Sequence, residues 1–307
     1  MTKVTWKGVM PALMTEFKPD GSLDLPATKK HVETLLEAGV DGFIMLGTLG
    51  ENLSLTPAEK SAVRRCAVEA VKGKVPVISG IAEYTSAFAI ERGKEAKADG
   101  CAGLMVLPCM VYKTDPEETL VHFETVADGV ALPIMVYNNP ITYATDVKPE
   151  GFKRLAAKSN IVAIKESSDD VRRVTDLKNV VGDRFIIFCG VDDIALESVA
   201  LGADGWVAGL VNAFPAETIE LYRYAARGQI TEALELYRWF MPLLHLDCHT
   251  KLVQYIKLAN AMTGLGSETC RAPRLALAGE ERKRIQAIIQ KAIDTRPNLK
   301  GVAAAAE

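Results

Sequence analysis

Short apolar runs rich in valine, isoleucine and leucine recur along the first two thirds of the chain, separated by longer stretches of helical patterning. They occupy residues 9–14, 42–47, 75–80, 102–108, 132–137, 161–165, 185–190 and 205–210. A near-continuous apolar run predicts a strand buried on both faces, as in a parallel sheet covered by helices. Successive runs begin 33, 33, 27, 30, 29, 24 and 20 residues apart, each interval about one strand, loop and helix. Thr56-Pro57-Ala58-Glu59 and Asp115-Pro116-Glu117-Glu118 read as helix starts, with a capping side chain, a first-turn proline and a reciprocating glutamate. Turns containing Gly39, Gly100 and Gly202 return the chain from helix to strand. Eight such units predict an α/β fold, a (β/α)8 barrel over residues 1–225. A doubly wound open sheet could use the same runs, but no G-x-G-x-x-G follows the first strand. Beyond Pro215, residues 230–262 and 279–292 read as helices. They form a C-terminal extension, 226–300, packed on the barrel, with 301–307 a loose tail.

Composition narrows the function without choosing it. The 307 residues carry 36 Lys+Arg and 39 Asp+Glu, a net charge of −3, with 49% apolar and 24% charged residues. That balance belongs to a compact globular chain and argues against nucleic acid or an anionic membrane as partner. The first residues carry no apolar stretch of signal-peptide length and no run suits a membrane span, so a cytoplasmic protein is expected. Six scattered cysteines without a C-x-x-C pair agree with a reducing compartment. His245-Leu246-Asp247-Cys248-His249 spaces two imidazoles for one helix face, but no third ligand is nearby, and no metal is expected.

In a (β/α)8 barrel the chemistry sits where the strands end. The second strand ends in Gly47-Thr48-Leu49-Gly50-Glu51, the fifth in Tyr137-Asn138-Asn139-Pro140, the sixth in Lys165-Glu166-Ser167-Ser168 and the seventh in Gly190-Val191-Asp192-Asp193. Lys165 follows Val162, Ala163 and Ile164, so its amine lies at the mouth of an apolar interior, and alternation sends Glu166 to the opposite face. An ordinary lysine pKa near 10.4 must fall by about 3 units for an amine nucleophile near neutrality, a cost of roughly 4–5 kcal/mol that burial can impose. Such an amine can form a Schiff base with a ketone. Equally, Lys165 can be a strand-end lysine paired to an acid across the barrel. Tyr137 can shuttle protons over the same mouth, or be a buried aromatic with a satisfied hydroxyl. The Gly47–Gly50 turn offers backbone N–H groups as a carboxylate cradle.

Together, Gly47-Thr48-Leu49-Gly50-Glu51, Tyr137-Asn138-Asn139-Pro140, Ile164-Lys165-Glu166-Ser167 and the late Arg271-Ala272-Pro273-Arg274-Leu275 resemble the dihydrodipicolinate synthase / N-acetylneuraminate lyase superfamily of class I aldolases. The resemblance implies a barrel with a C-terminal helical extension, a homotetramer built as a dimer of dimers, and no cofactor. It implies Lys165 as the Schiff-base lysine for a 2-oxo acid, Tyr137 as the proton-shuttling tyrosine and Thr48 as its relay and a carboxylate ligand. Gly47, Gly190 and Gly209 fall among the pocket-lining positions. Three positions depart from the synthase branch. Thr142 stands where an arginine holds a second carboxylate, Leu49 replaces the second hydroxyl of the glycine turn, and Met110 replaces a partner-chain tyrosine, with Tyr112 close by. These departures point to a substrate with one carboxylate. Within the superfamily the chain is most similar to 1-pyrroline-4-hydroxy-2-carboxylate deaminases, which convert a small cyclic imine to 2-oxoglutarate semialdehyde and ammonia. A 4-hydroxy-tetrahydrodipicolinate synthase, a 2-keto-3-deoxy sugar acid aldolase or dehydratase, and a non-catalytic 2-oxo-acid-binding barrel are the alternatives.

Overall fold

The structure, a computed structural model, describes residues 4–109 and 112–299. Its strands are β1 Gly8–Pro11, β2 Phe43–Met45, β3 Val77–Ile81, β4 Gly103–Val106, β5 Ile134–Asn138, β6 Ile161–Glu166, β7 Ile186–Cys189 and β8 Gly205–Ala208. All pair in parallel in the order β1-β8-β7-β6-β5-β4-β3-β2. A parallel bridge from Ala12 to Ile44 joins the two ends, with Leu13 N–H donating to the Ile44 carbonyl at 2.9 Å. The chain is therefore a (β/α)8 barrel.

Each predicted run overlaps a strand; β1 starts one residue ahead of its run, and β3, β5 and β6 end one residue beyond theirs. β2 stops at Met45 because Leu46 takes a left-handed φ of 57° and turns the chain over the barrel mouth. Both expected capping boxes form: Glu59 N–H donates to Thr56 Oγ1 at 3.3 Å and Glu118 N–H to Asp115 Oδ1 at 2.8 Å, each glutamate reaching back to the cap.

The helices that follow are α1 Leu25–Ala38, α2 Pro57–Val71, α3 Ser86–Ala98, α4 Pro116–Gly129, α5 Pro140–Tyr143, α6 Pro149–Leu155, α7 Arg172–Val181, α8 Ala195–Ala200 and α9 Pro215–Ala226. Beyond the barrel come α10 Ile230–Leu244, α11 Leu252–Met262 and α12 Gly279–Asp294. The single helix predicted over 230–262 is thus two. Pro242 withholds an N–H and crowds the preceding turn, and α10 ends at Leu244, within a turn of it. Residues 245–251 then form the turn that carries Asp247 back toward the barrel. α10 packs on α9 and α12, and α11 touches the loop after β8. The tail 301–307 and Met110 lie outside the described residues. Among the described residues no helix is long and apolar enough to cross a membrane.

Candidate active site

β5 and β6 are neighbours in a register that sets Tyr137 opposite Lys165 and Asn138 opposite Glu166. The Lys165 Nζ sits over the Tyr137 ring, 4.1 Å from its centroid. Both residues are buried, at 6% exposure each. Glu166 does turn away: its carboxylate accepts from Asn138 Nδ2 at 3.0 Å and from Ser168 N–H at 2.8 Å. Lys165 is nevertheless not free of carboxylates, as alternation along its own strand suggested. Asp192, just beyond β7, and Asp247, in the turn after α10, both act on it. Burial pulls the Lys165 ammonium below the ordinary lysine range while Asp247, Tyr143 and Asp192 oppose that fall. Among the described residues no acid comes within 4 Å to pair with it.

Tyr137 Oη accepts from Asn139 Nδ2 at 3.0 Å, and Asn139 in turn caps α5 by accepting the Thr142 N–H at 2.9 Å. The four residues of α5 place Tyr143 beside the site. Its ring meets that of Tyr137 edge-on, with centroids 5.7 Å apart at 85°. Its hydroxyl lies 3.1 Å from Thr48 Oγ1. Burial raises the pKa values of both phenols, so both hold their protons near neutrality. Tyr143 was not singled out from the sequence; Asn139-Pro140 opening a one-turn helix three residues before a tyrosine is the signal that would have found it. Tyr112 is exposed, and its hydroxyl donates to Glu118 at 2.9 Å. Thr142 is exposed as well.

The turn after β2 is bracketed by two non-glycine residues at positive φ, Leu46 at 57° and Glu51 at 51°. Among the described residues the N–H groups of Thr48 and Leu49 have no acceptor, so they are available to a carboxylate. The Leu49 side chain is buried in the core. Gly190 and Gly209 are points of close approach. A Cβ on Gly190 would fall 2.1 Å from Ser167 Oγ and 2.6 Å from Lys165 Cε, and one on Gly209 would fall 2.4 Å from Asp247 Oδ1.

Three acids line the side of the mouth formed by β7 and the C-terminal helices. Asp192 is fully buried and accepts from Trp206 Nε1 at 2.9 Å, Gly209 N–H at 3.0 Å and Leu210 N–H at 2.8 Å, and burial still pushes its pKa up to about 6. Asp193 Oδ2 lies 2.8 Å from His245 Nδ1. His249 instead packs on the Tyr255 ring, so the two histidines have separate partners. Asp247 is half-buried, and burial beside Asp192 raises its carboxyl well above the usual range. A buried, tyrosine-backed amine can attack a carbonyl, and the phenols and hydroxyl around it can move the protons that addition and dehydration require.

Fold and site define a lysine-bearing barrel enzyme. The family model described as the Dihydrodipicolinate synthetase family matches residues 5–292, and the chain belongs to that family of class I lyases. A 4-hydroxy-tetrahydrodipicolinate synthase of Methanothrix thermoacetophila is 32% identical over 300 residues, covering 96% of this chain and 100% of its own. The Escherichia coli K12 protein named "Probable 2-dehydro-3-deoxy-D-pentonate aldolase YjhH" is 31% identical over 91% of this chain and 94% of its own. The crystal structure of YagE from E. coli K12, a family member in complex with pyruvate, superposes with a TM-score of 0.88 at 29% identity, covering 94% of this chain and 99% of that one.

Proposed function

We propose that the chain forms a Schiff base between Lys165 and the C2 of a small 2-oxo acid or its cyclic imine, and releases a substituent from the substrate's C4. The substrate that fits best is 1-pyrroline-4-hydroxy-2-carboxylate. The observation that carries the reading is the Lys165 amine seated 4.1 Å over the Tyr137 ring, facing Asp192 and Asp247, with Thr142 where a second-carboxylate arginine would stand. Carboxyl groups on the wall offer hydrogen-bond partners to hydroxyl or amine groups of the substrate. The free N–H groups of Thr48 and Leu49 hold the single carboxylate at C2.

Attack of the neutral Lys165 amine on C2 forms the C–N bond. The ring C2–N1 bond breaks, leaving a primary amine on C5 and the substrate joined to Lys165 as an iminium. The iminium is the electron sink, so the chemistry needs neither metal nor cofactor. Loss of a C3 proton gives the enamine, and departure of the 4-hydroxyl as water gives a conjugated iminium. Migration of the double bond to C5, followed by hydrolysis at C5 and C2, releases ammonia and 2-oxoglutarate semialdehyde with a net uptake of one water. Tyr137, Tyr143 and Thr48 relay the protons of addition and hydrolysis.

A second reading, cleavage of a 2-keto-3-deoxy sugar acid, is favoured by the relative named as an aldolase and shares the same first steps. The YagE structure with pyruvate supports a 2-oxo acid in either case. Borohydride reduction with pyruvate should add a pyruvate-derived mass to Lys165, and K165A should abolish it. Ammonia release from the pyrroline then separates deaminase from aldolase. Absence of any adduct on Lys165 would sink both readings, and binding of pyruvate and the pyrroline without turnover would leave a silent barrel.

A homotetramer is also proposed. Leu53, Tyr84, Tyr112 and Ile141 lie exposed on the loops that follow β2 to β5, the same rim of the barrel, and offer an apolar face to a second copy.

A further inference from the structure

Asp192 is tied down by the Trp206 indole and by two backbone N–H groups, and one Asp193 oxygen lies against His245. Asp247 is held differently, accepting the backbone N–H of Asp192. The turn that interrupts 230–262 after Leu244 delivers it, and the missing side chain of Gly209 makes room for its Oδ1. Gly209 directly follows β8 at the mouth, so the Oδ1 it admits stands on the same rim as Lys165, on which Asp247 also acts electrostatically. Burial and the neighbouring Asp192 favour its protonated form, against the pull of Lys165.

A hydroxyl on C4 of the Lys165-bound substrate has two fates. If a base takes its O–H proton while C2 is the iminium, the C3–C4 bond breaks, its pair forms the C2–C3 enamine and an aldehyde leaves. If C3 first loses a proton to give the enamine and an acid then protonates the hydroxyl, the C4–O bond breaks and water leaves. A carboxylic acid beside C4 does the second.

Building on the Schiff-base reading, we infer that Asp247 donates the proton to the hydroxyl leaving C4, which commits the site to elimination over carbon–carbon cleavage. In that step the nitrogen lone pair of the enamine re-forms the C2 iminium, and the C2–C3 pair becomes the C3–C4 double bond. The C4–O pair stays on oxygen, which takes the Asp247 proton and departs as water. The resulting Asp247 carboxylate recovers a proton from C5 as the double bond moves toward the amine-bearing carbon. Asp247 is thus a catalytic residue distinct from the lysine and its tyrosines.

The test compares the wild-type enzyme with D247N, which keeps shape and removes the acid. With pyruvate and borohydride, D247N should label Lys165 within about threefold of wild type, while turnover of 1-pyrroline-4-hydroxy-2-carboxylate falls by about 100-fold or more. With the 4-fluoro analogue, whose leaving group depends less on a proton, the deficit should shrink below about tenfold. A merely structural role would not make the defect depend on the leaving group. The inference is overturned if D247N retains more than about a third of the wild-type turnover, if the 4-fluoro substrate suffers the same loss, or if D247N no longer labels with pyruvate. A wild type that labels with pyruvate but cleaves C3–C4 overturns it too. Failure of wild type to label at all is the separate failure of the Schiff-base reading.

Discussion

A single hydroxyl, that of Tyr143, joins parts of the site that are remote in sequence. It sits 3.1 Å from Thr48 Oγ1 on the β2 turn, and its ring rests edge-on against Tyr137 on β5. Both contacts come from one tyrosine of the same chain. Removing only that oxygen tests the relay with little structural disturbance, since one hydrogen bond contributes about 1 kcal/mol. Y143F should leave the melting temperature nearly unchanged and slow borohydride-trappable adduct formation by about 10- to 100-fold. T48V should do the same, and the double variant should be no slower than the worse single one, because the two hydroxyls act in series. Additive losses would mean that Tyr143 and Thr48 serve separate steps. Lys165 and Tyr137 were legible in the sequence because each ends an apolar run, and strand alternation correctly sent Glu166 away. Tyr143 was not legible, because its place depends on α5 being a single turn that Asn139 caps. Asp247 escaped for a related reason: its charge matters only once α10 stops and the chain doubles back.

At the scale of elements, the β2 turn is held from outside the barrel. Glu51 and Lys257 of α11 are both fully buried, and Lys257 Nζ donates to Glu51 Oε1 at 2.7 Å, to the Thr15 carbonyl at 2.8 Å and to the Thr269 carbonyl at 2.7 Å. The other Glu51 oxygen accepts the Arg271 N–H at 3.0 Å, while the Arg271 side chain reaches Glu59 on α2. This gives Glu51 of the glycine-turn motif and the late Arg271-Ala272-Pro273-Arg274 motif one physical role: they lock the strained turn beneath Thr48 to the C-terminal helices. K257M removes the nearer of the two cations on buried Glu51 and leaves Arg274 Nη1 at 3.4 Å, which should cost about 3 kcal/mol in urea unfolding. E51Q in the same chain should restore part of that loss, and K257M alone should raise the KM for pyruvate as the cradle loosens. A K257M protein of wild-type stability would remove this role. The strands and caps were legible because they follow from local pattern. The tie between Glu51 and Lys257, 206 residues apart, was not, because no local rule pairs residues at that distance.

The whole molecule has an uneven surface. Net charge is only −3 on 307 residues, yet the loops beyond β2 to β5 expose Leu53, Tyr84, Tyr112 and Ile141, and Ile141 is 71% exposed on α5 itself. That rim adjoins the active site, since Ile141 lies two residues from Tyr143 in the same turn. Scattered apolar residues on a surface need no explanation, but several on consecutive loops of one barrel face form a patch of the kind that self-association covers. A symmetric dimer through this rim would press α5 from outside and so hold Tyr143 against Thr48. Sedimentation should therefore find wild type well above the monomer mass, and I141D should shift it to a smaller species. Because α5 carries Tyr143, that dissociation should also lower turnover, and activity should recover as I141D is concentrated. A wild type that sediments as a monomer at micromolar concentration while fully active would show that α5 holds Tyr143 without a neighbour, and that the exposed rim serves some purpose other than self-assembly.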